Sequence, residues 1–197
     1  MRPIRFAAPT TITEAVAALV AHGPRARMLA GGTDLIVQVR EGQRDWDVFV
    51  DAKRIPELGQ IAFAEDDALT LGAAVPCYRI YQDPRIQARY PALVDAARII
   101  GGIGIQGRAS VGGNLCNSGP AGDSIPALIA HDASCAIVGP DGRRSVPVHE
   151  FCSAPGRNVL RPDELLVSLT FPARPSRSGA AYLRFIPRDE MDIAVVG

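Results

Sequence analysis

Apolar positions change period several times along this chain, and each change marks an element. Residues 4–6 open with a short apolar run that predicts a strand. Ala15, Val16, Leu19 and Val20 then recur at helical spacing behind Thr11-Ile12-Thr13-Glu14, whose ends fit a capping box. Gly23-Pro24 predicts the stop, a glycine past the last turn followed by a residue that cannot continue it. Residues 27–30 and 48–50 read as strands, with 36–40 helical or extended between them. The unit is strand–helix–strand, with Gly31-Gly32 at the carboxyl end of its second strand. In open α/β folds that edge is where ligands sit.

The character changes at Pro56, where the pattern predicts a subdomain boundary. Residues 61–63 and 69–72 flank the acidic tight turn Glu65-Asp66-Asp67 as a pair of strands. Residues 78–87 predict a helix interrupted at Pro84, and 92–100 a firmer one. Residues 125–130 predict a helix begun by Asp123 or Ser124, with Pro126 early, where its missing N–H is harmless. Residues 135–138 and 144–148 form a hairpin around Gly139-Pro140-Asp141-Gly142, and 165–171 and 181–186 are two more strands. The second subdomain is therefore α+β with an antiparallel sheet. Residues 192–197 are apolar instead of a polar tail, which predicts that the chain is a fragment of a longer polypeptide.

Between the predicted helices at 92–100 and 125–130 lies a glycine-rich run. Eight of the 19 glycines fall between Gly101 and Gly122. Glycine is costly inside regular elements, so this density predicts a loop that turns left-handed or lets something approach closely. Gly102-Ile103-Gly104-Ile105-Gln106-Gly107 is a literal G-x-G-x-x-G, but a nicotinamide site needs a strand before it and a helix after it. Here a helix precedes, and residues 108–113 are too glycine-rich to open another, so the motif is a decoy. Two glycine pairs matter more: Gly31-Gly32-Thr33 and Gly112-Gly113-Asn114. Local chemistry admits two readings: ordinary turns, or two loops closing on a pyrophosphate through backbone N–H groups.

Composition narrows the setting. Apolar residues make up 47% of the 197, charged residues 21%, and the formal charge is zero, so a nucleic-acid or anionic-membrane partner is not expected. No run reaches the ~18 apolar residues of a membrane span, and Met1-Arg2-Pro3-Ile4-Arg5-Phe6 has no secretory h-region, which gives a cytoplasmic expectation. Cys77, Cys116, Cys135 and Cys152 have no metal spacing and read as reduced, mostly buried thiols.

Ala30-Gly31-Gly32-Thr33-Asp34-Leu35, Ser110-Val111-Gly112-Gly113-Asn114-Leu115 and Pro120-Ala121-Gly122-Asp123-Ser124-Ile125-Pro126-Ala127-Leu128 together resemble the FAD-binding subunit of the molybdenum hydroxylases. That family includes the medium subunit of carbon monoxide dehydrogenase and the flavin part of xanthine dehydrogenase. The two glycine pairs lie about 80 residues apart and in order, and the resemblance runs the length of the chain. Arg188-Asp189-Glu190-Met191-Asp192-Ile193-Ala194 resembles the opening of the family's C-terminal domain.

The resemblance implies a two-subdomain FAD-binding PCMH-type fold: an N-terminal α/β subdomain over 1–55, a middle α+β subdomain over 56–176, and at 177–197 the start of a largely absent C-terminal domain. Non-covalent FAD would lie between the first two. Leu29, Ala30, Gly31, Gly32, Thr33, Asp34, Leu35 and Ile36, with Ser110, Val111, Gly112, Gly113 and Asn114, would hold its pyrophosphate. Asp123 would accept from its sugar hydroxyls, Ile100 with Leu165 or Leu166 would lie against its rings, and Arg184 would sit near the isoalloxazine and favour an anionic reduced flavin. Residues 105–108 depart from the family by lacking an Arg-Asn pair. The implied function is electron transfer within a hetero-oligomer. A large partner carries the molybdenum cofactor, a small one carries [2Fe-2S] clusters, and electrons leave to NAD, oxygen or a quinone. Two alternatives are a stand-alone NAD(P)H-dependent flavin reductase and a flavin-free scaffold.

Overall fold

A computed structural model describes residues 3–188 and 192–197. The chain opens with β1 (Arg5–Ala7), then α1 (Ile12–His22). The capping box forms as expected: the Thr11 hydroxyl accepts the Glu14 N–H at 3.1 Å, and the Glu14 carboxylate accepts the Thr11 N–H at 3.3 Å. Gly23 ends the helix at φ +57°, a conformation most side chains avoid. Ile12, Ala15 and Leu19 face inward, and each large apolar side chain so buried stabilises by about 1.5–3 kcal/mol. Next come β2 (Ala26–Leu29), α2 (Leu35–Arg40) and β3 (Val48–Asp51). The three strands form a parallel sheet in the order β1-β3-β2, so β2 is an edge strand with the glycine turn at its carboxyl end.

A 3-10 turn, Pro56–Gly59, leads to β4 (Ile61–Phe63) and β5 (Leu69–Gly72). Asp67 takes φ +69° in the acidic turn between them. Proline divides the following helical stretch as predicted, into α3 (Cys77–Gln82) and α4 (Pro84–Arg89), and α5 (Pro91–Ile99) follows. The glycine-rich run is not an open loop. It folds as α6 (Ile103–Gln106) and α7 (Val111–Asn117), then α8 (Ser124–Ala130). The expectation that residues 108–113 could not open a helix is overturned, because Gly112 and Gly113 occupy the first turn of α7. Gly112 is there for close approach: a Cβ at that position would be built into the backbone of Ala73.

The hairpin is β6 (Ser134–Gly139) and β7 (Gly142–Pro147), with Gly139 paired to Gly142. A helical turn α9 (Val148–Phe151) and a small hairpin, β8 (Cys152–Ala154) and β9 (Arg157–Asn158), precede β10 (Leu165–Phe171). The antiparallel sheet has the order β4-β5-β10-β6-β7. Its central strand, β10, is covered on both faces. Leu165 and Val167 join the core under α1 and the parallel sheet, while Leu166, Leu169 and Phe171 join the larger core under α3, α5, α7 and α8. A register shift against β6 between Leu166 and Ser168 accounts for the change of alternation.

The strand expected over 181–186 is not present. Among the described residues only an isolated bridge joins Phe185 to Val196, and Leu183 and Phe185 are exposed. Phe185 exchanges backbone hydrogen bonds with Val196 and Val195 at 2.8 and 3.0 Å, and among the described residues the pairing extends no further, too short a ladder to make a strand. Part of the stretch resembling a C-terminal domain opening, Asp189 to Met191, lies outside the described residues. The four cysteines are unpaired, Cys77 and Cys135 buried and Cys116 and Cys152 half-buried. Among the described residues no helix is long and apolar enough to cross a membrane.

Candidate functional site

A cleft of about 350 Å³ runs between the β2–α2 layer and the antiparallel unit. Ala30, Gly31, Gly32, Thr33, Asp34 and Leu35 line one wall; Ser110, Gly112, Gly113 and Asn114 line the facing one, and Ile100, Leu165 and Leu166 add apolar surface. The two glycine pairs, 81 positions apart, therefore meet across one space.

Each pair has a geometric reason. Gly32 sits at φ +76°, which turns the chain from β2 into α2. Gly31 is buried, and a Cβ there would be built into the carbonyl of Arg108. On the other wall, Ser110 caps α7 by accepting the Gly113 N–H at 3.0 Å. The first-turn N–H groups of Val111 and Gly112 have no carbonyl one turn earlier in the helix to bond. At the start of α2, Asp34 makes no side-chain cap bond. Backbone donors thus stand on both sides of a space whose glycines leave it open to a close-fitting anion.

Three hydrogen bonds tie the walls together. Arg108 Nε–H donates to the Gly31 carbonyl at 3.0 Å, Gln38 Nε2–H to Asn117 Oδ1 at 3.0 Å, and Asn117 Nδ2–H to Asp34 Oδ1 at 3.2 Å. Asp34 stands at the open mouth with one side in water; withdrawal of the other raises its carboxyl pKa above the ordinary value, and Thr33 acts in the opposite direction. Cys116 also faces the cleft, and burial pushes its thiol up to about 12, so it stays protonated. Asn114 is oriented from behind: its Oδ1 accepts the Ser124 hydroxyl at 2.7 Å, joining α7 to α8.

Five expected residues do not line the cleft. Val111 is 1% exposed in the larger core, Leu29 is buried, and Ile36 is half-exposed with its tip lying over Gly32. Asp123 and Arg184 meet each other: Arg184 Nη1–H donates to both Asp123 carboxylate oxygens at 3.2 Å. Asp123 also accepts the Tyr182 hydroxyl at 3.1 Å and makes no cap bond to α8. Burial and the Asp123 charge push the Tyr182 phenol up to about 12. This cluster pins the segment after β10 onto α5 and α8, with Arg184 reaching the Ile99 carbonyl at 3.3 Å.

Other lining residues escaped the sequence reading. Gln38 lies four residues past Asp34 on α2, and Asn117 three past Asn114 on α7, so helical spacing over 35–40 points to the first and helical spacing within the glycine run to the second. Arg27, Arg44 and Trp46 also line the cleft. Only the pairing of β2 with β3 brings them together, and no local pattern announces that.

A family profile described as the FAD binding domain in molybdopterin dehydrogenase matches residues 2–174. The chain is 37% identical over 180 residues to the xanthine dehydrogenase FAD-binding subunit of Escherichia coli O157:H7, covering 91% of this chain and 62% of that one. It is 33% identical over 199 residues to the carbon monoxide dehydrogenase medium chain of Hydrogenophaga pseudoflava, covering 100% and 69%. The fold superimposes on the solved carbon monoxide dehydrogenase of that organism, the form lacking the Mo-pyranopterin moiety, with a TM-score of 0.93 at 31% identity; 98% of this chain and 68% of the other are covered. The chain thus spans between three fifths and seven tenths of the length of these relatives.

Proposed function

The chain belongs to the FAD-binding domains of molybdopterin dehydrogenases, and on that premise we propose that it is the flavin-holding part of a molybdenum hydroxylase complex. The observation that carries the reading is the convergence of the two glycine pairs on one cleft, with the first turn of a helix on each wall. The N–H donors there suit a pyrophosphate, and Ile100, Leu165 and Leu166 supply apolar surface for a flat ring.

In this reading residues 1–55 and 56–176 form the two walls, and residues 177–197 begin the part that the relatives carry further. Gly31, Gly32 and the first turn of α7 bind the phosphates. Asn114 holds the second wall in place through Ser124, and Gln38 and Asn117 set the width of the mouth. The flavin, when bound, supplies the electron-accepting chemistry, and the chain binds and orients it. Substrate oxidation falls to a large partner with the molybdenum cofactor, and a small iron–sulfur partner delivers the electrons, which pass on to an external acceptor. Asp123 and Arg184 serve the fold as a latch, with any contact to the cofactor made from that position.

An absorption spectrum of the purified protein before and after heating tests the reading. Bands near ~370 and ~450 nm, released into solution as FAD by heat, are expected of a non-covalent flavin. A protein that is colourless and takes up no added FAD would remove the function and leave the fold. Co-isolation with molybdenum and iron–sulfur chains separates this reading from a free-standing reductase.

A further inference from the structure

Among the described residues two carboxylates line the cleft, Asp34 and Glu164, and they are placed differently. Glu164 is paired: Arg144 donates to it twice, at 2.8 and 2.6 Å. Asp34 has no such partner. Its Oδ1 accepts Asn117 Nδ2–H at 3.2 Å, and its Oδ2 is met by the Thr33 hydroxyl at 3.5 Å. Among the described residues it forms no ion pair. Asn117 is oriented in turn by Gln38, whose Nε2–H donates to its Oδ1 at 3.0 Å. A neutral amide, not a cation, therefore faces Asp34 from α7.

Asp34 follows Gly32 by two residues, at most about 7 Å of chain. An anion resting on that turn stands beside a carboxylate, and like charges so close favour the uncharged form of the acid. Burial already acts in the same direction, raising the Asp34 pKa above the ordinary carboxylate value. The cations of the cleft are turned elsewhere. Arg27 lies four residues before Gly31, roughly 13 Å of extended chain, at the end of the cleft where Trp46 stands. Its guanidinium carbon is 5.6 Å from the Trp46 ring centroid, and Arg44 lines the same end. Arg161 is paired with Asp141 at 2.9 Å, and Arg108 donates to the Gly31 carbonyl at 3.0 Å. None of the three histidines lines the space.

We infer that Asp34 takes up a proton from solvent when the dinucleotide binds, so that the cofactor is held by the neutral carboxyl and loosened as pH rises. The inference rests on the reading of the cleft as a flavin site and deepens it. Asn117 occupies Oδ1, which leaves Oδ2 as the oxygen that takes the proton. Its O–H can then donate to an anion that the carboxylate would repel. By linkage, the bound state has the higher Asp34 pKa and holds more protons than the free state between the two values. Affinity therefore falls as pH rises through that window. It is level below the window, where both states are protonated, and level above it, where both are ionised.

The flavin-free 197-residue chain is titrated with FAD by calorimetry between about pH 5 and 8, at each pH in two buffers of different ionisation enthalpy. The difference in heat between the buffers counts the protons taken up. The pyrophosphate of FAD is a diester and stays ionised throughout, so the ligand does not supply the signal. Net proton uptake at the acid end is expected, with affinity about tenfold weaker at the alkaline end. Asp34→Asn keeps an acceptor for Asn117 and should abolish both the uptake and the pH dependence. It should also bind FAD at least as tightly as wild type at the alkaline end. Binding without proton uptake, or uptake that persists in Asp34→Asn, overturns the inference and leaves the flavin reading intact. Affinity that is level with pH but rises with added Mg²⁺ assigns the neutralisation to a divalent cation and overturns it equally. A chain that takes up no FAD at any pH overturns both. The buffer comparison on the unaltered chain needs no variant, so a misfolded substitution cannot decide the matter.

Discussion

At the scale of single residues, the four site glycines are not equivalent. Gly112 cannot carry a side chain because the backbone of Ala73 occupies the space, whereas a Cβ on Gly113 meets only the Ser110 hydroxyl, at 3.0 Å. Gly112→Ala should therefore destabilise by about 1–3 kcal/mol through overpacking, and Gly113→Ala by less than about 1 kcal/mol, as read from denaturant midpoints. Equal losses at the two positions would contradict the packing account. Glu164 is a second case. Its carboxylate accepts from Arg144 Nε and Nη2 at 2.8 and 2.6 Å and from the Arg161 N–H at 2.8 Å, and the Arg144 bonds, together with the Arg161 bond, hold its pKa below the ordinary value despite burial. A carboxylate with a depressed folded pKa contributes stability that is full above the unfolded value of about 4.3 and is lost as pH falls through the folded one. Glu164→Gln should cost about 1–2 kcal/mol at neutral pH and flatten the acid limb of a melting-temperature profile below about pH 4.5. An unchanged acid limb would assign that limb to other groups.

At the scale of elements, the segment after β10 is the informative one. It has the apolar content of a strand but pairs only at the single Phe185–Val196 bridge among the described residues, and side chains fasten it: Tyr182 into a small cluster with Ala92, Ala96 and Ala127, and Arg184 onto Asp123, their side chains 11% and 13% exposed. Removing one partner of a nearly buried pair leaves the other charge stranded. Asp123→Ala should cost about 3 kcal/mol and free the segment around Tyr182, seen as faster amide exchange there and early cleavage by a protease. If exchange at Tyr182 stays slow, the latch is not what holds the segment. The fate of the glycine run belongs to this scale too. Read as a string of glycines it predicts a loop; in the structure α7 forms because Ser110 caps it, Val111 and Leu115 are buried, and α8 is bonded to it through Asn114. Tertiary packing outweighs the roughly 1 kcal/mol per glycine that helix propensity opposes.

At the scale of the whole molecule, the division near Pro56 is a change of topology and not of core. Ile12, Leu19, Val48 and Val50 from the first part pack with Leu58, Ala74, Leu165 and Val167 from the second. A chain cut at residue 55 would leave that apolar surface in water. Residues 1–55 alone are therefore expected to be unfolded by circular dichroism, and the intact chain to melt in one transition. Two separated transitions would show that the halves are independent. The shared core also fixes the cleft, since β10 carries Leu165 and Leu166 into it while its other residues build both cores.

The sequence by itself determined most of the elements. Capping residues, prolines and alternation act over a few positions, so α1, the break at Pro84, the β4–β5 and β6–β7 hairpins and the two sheet types were legible from residues alone, while the small β8–β9 hairpin was not. The glycine pairs marked the site for the same reason, because a left-handed turn such as that at Gly32 announces itself locally. Tertiary structure alone decided three things: that Gly112 and Gly113 open a helix, that Asp123 and Arg184 bind each other, and that Arg27 and Trp46 stand together at the end of the cleft. Each depends on contacts between residues distant in sequence, where the outcome is set by which surfaces meet, and no local pattern records that.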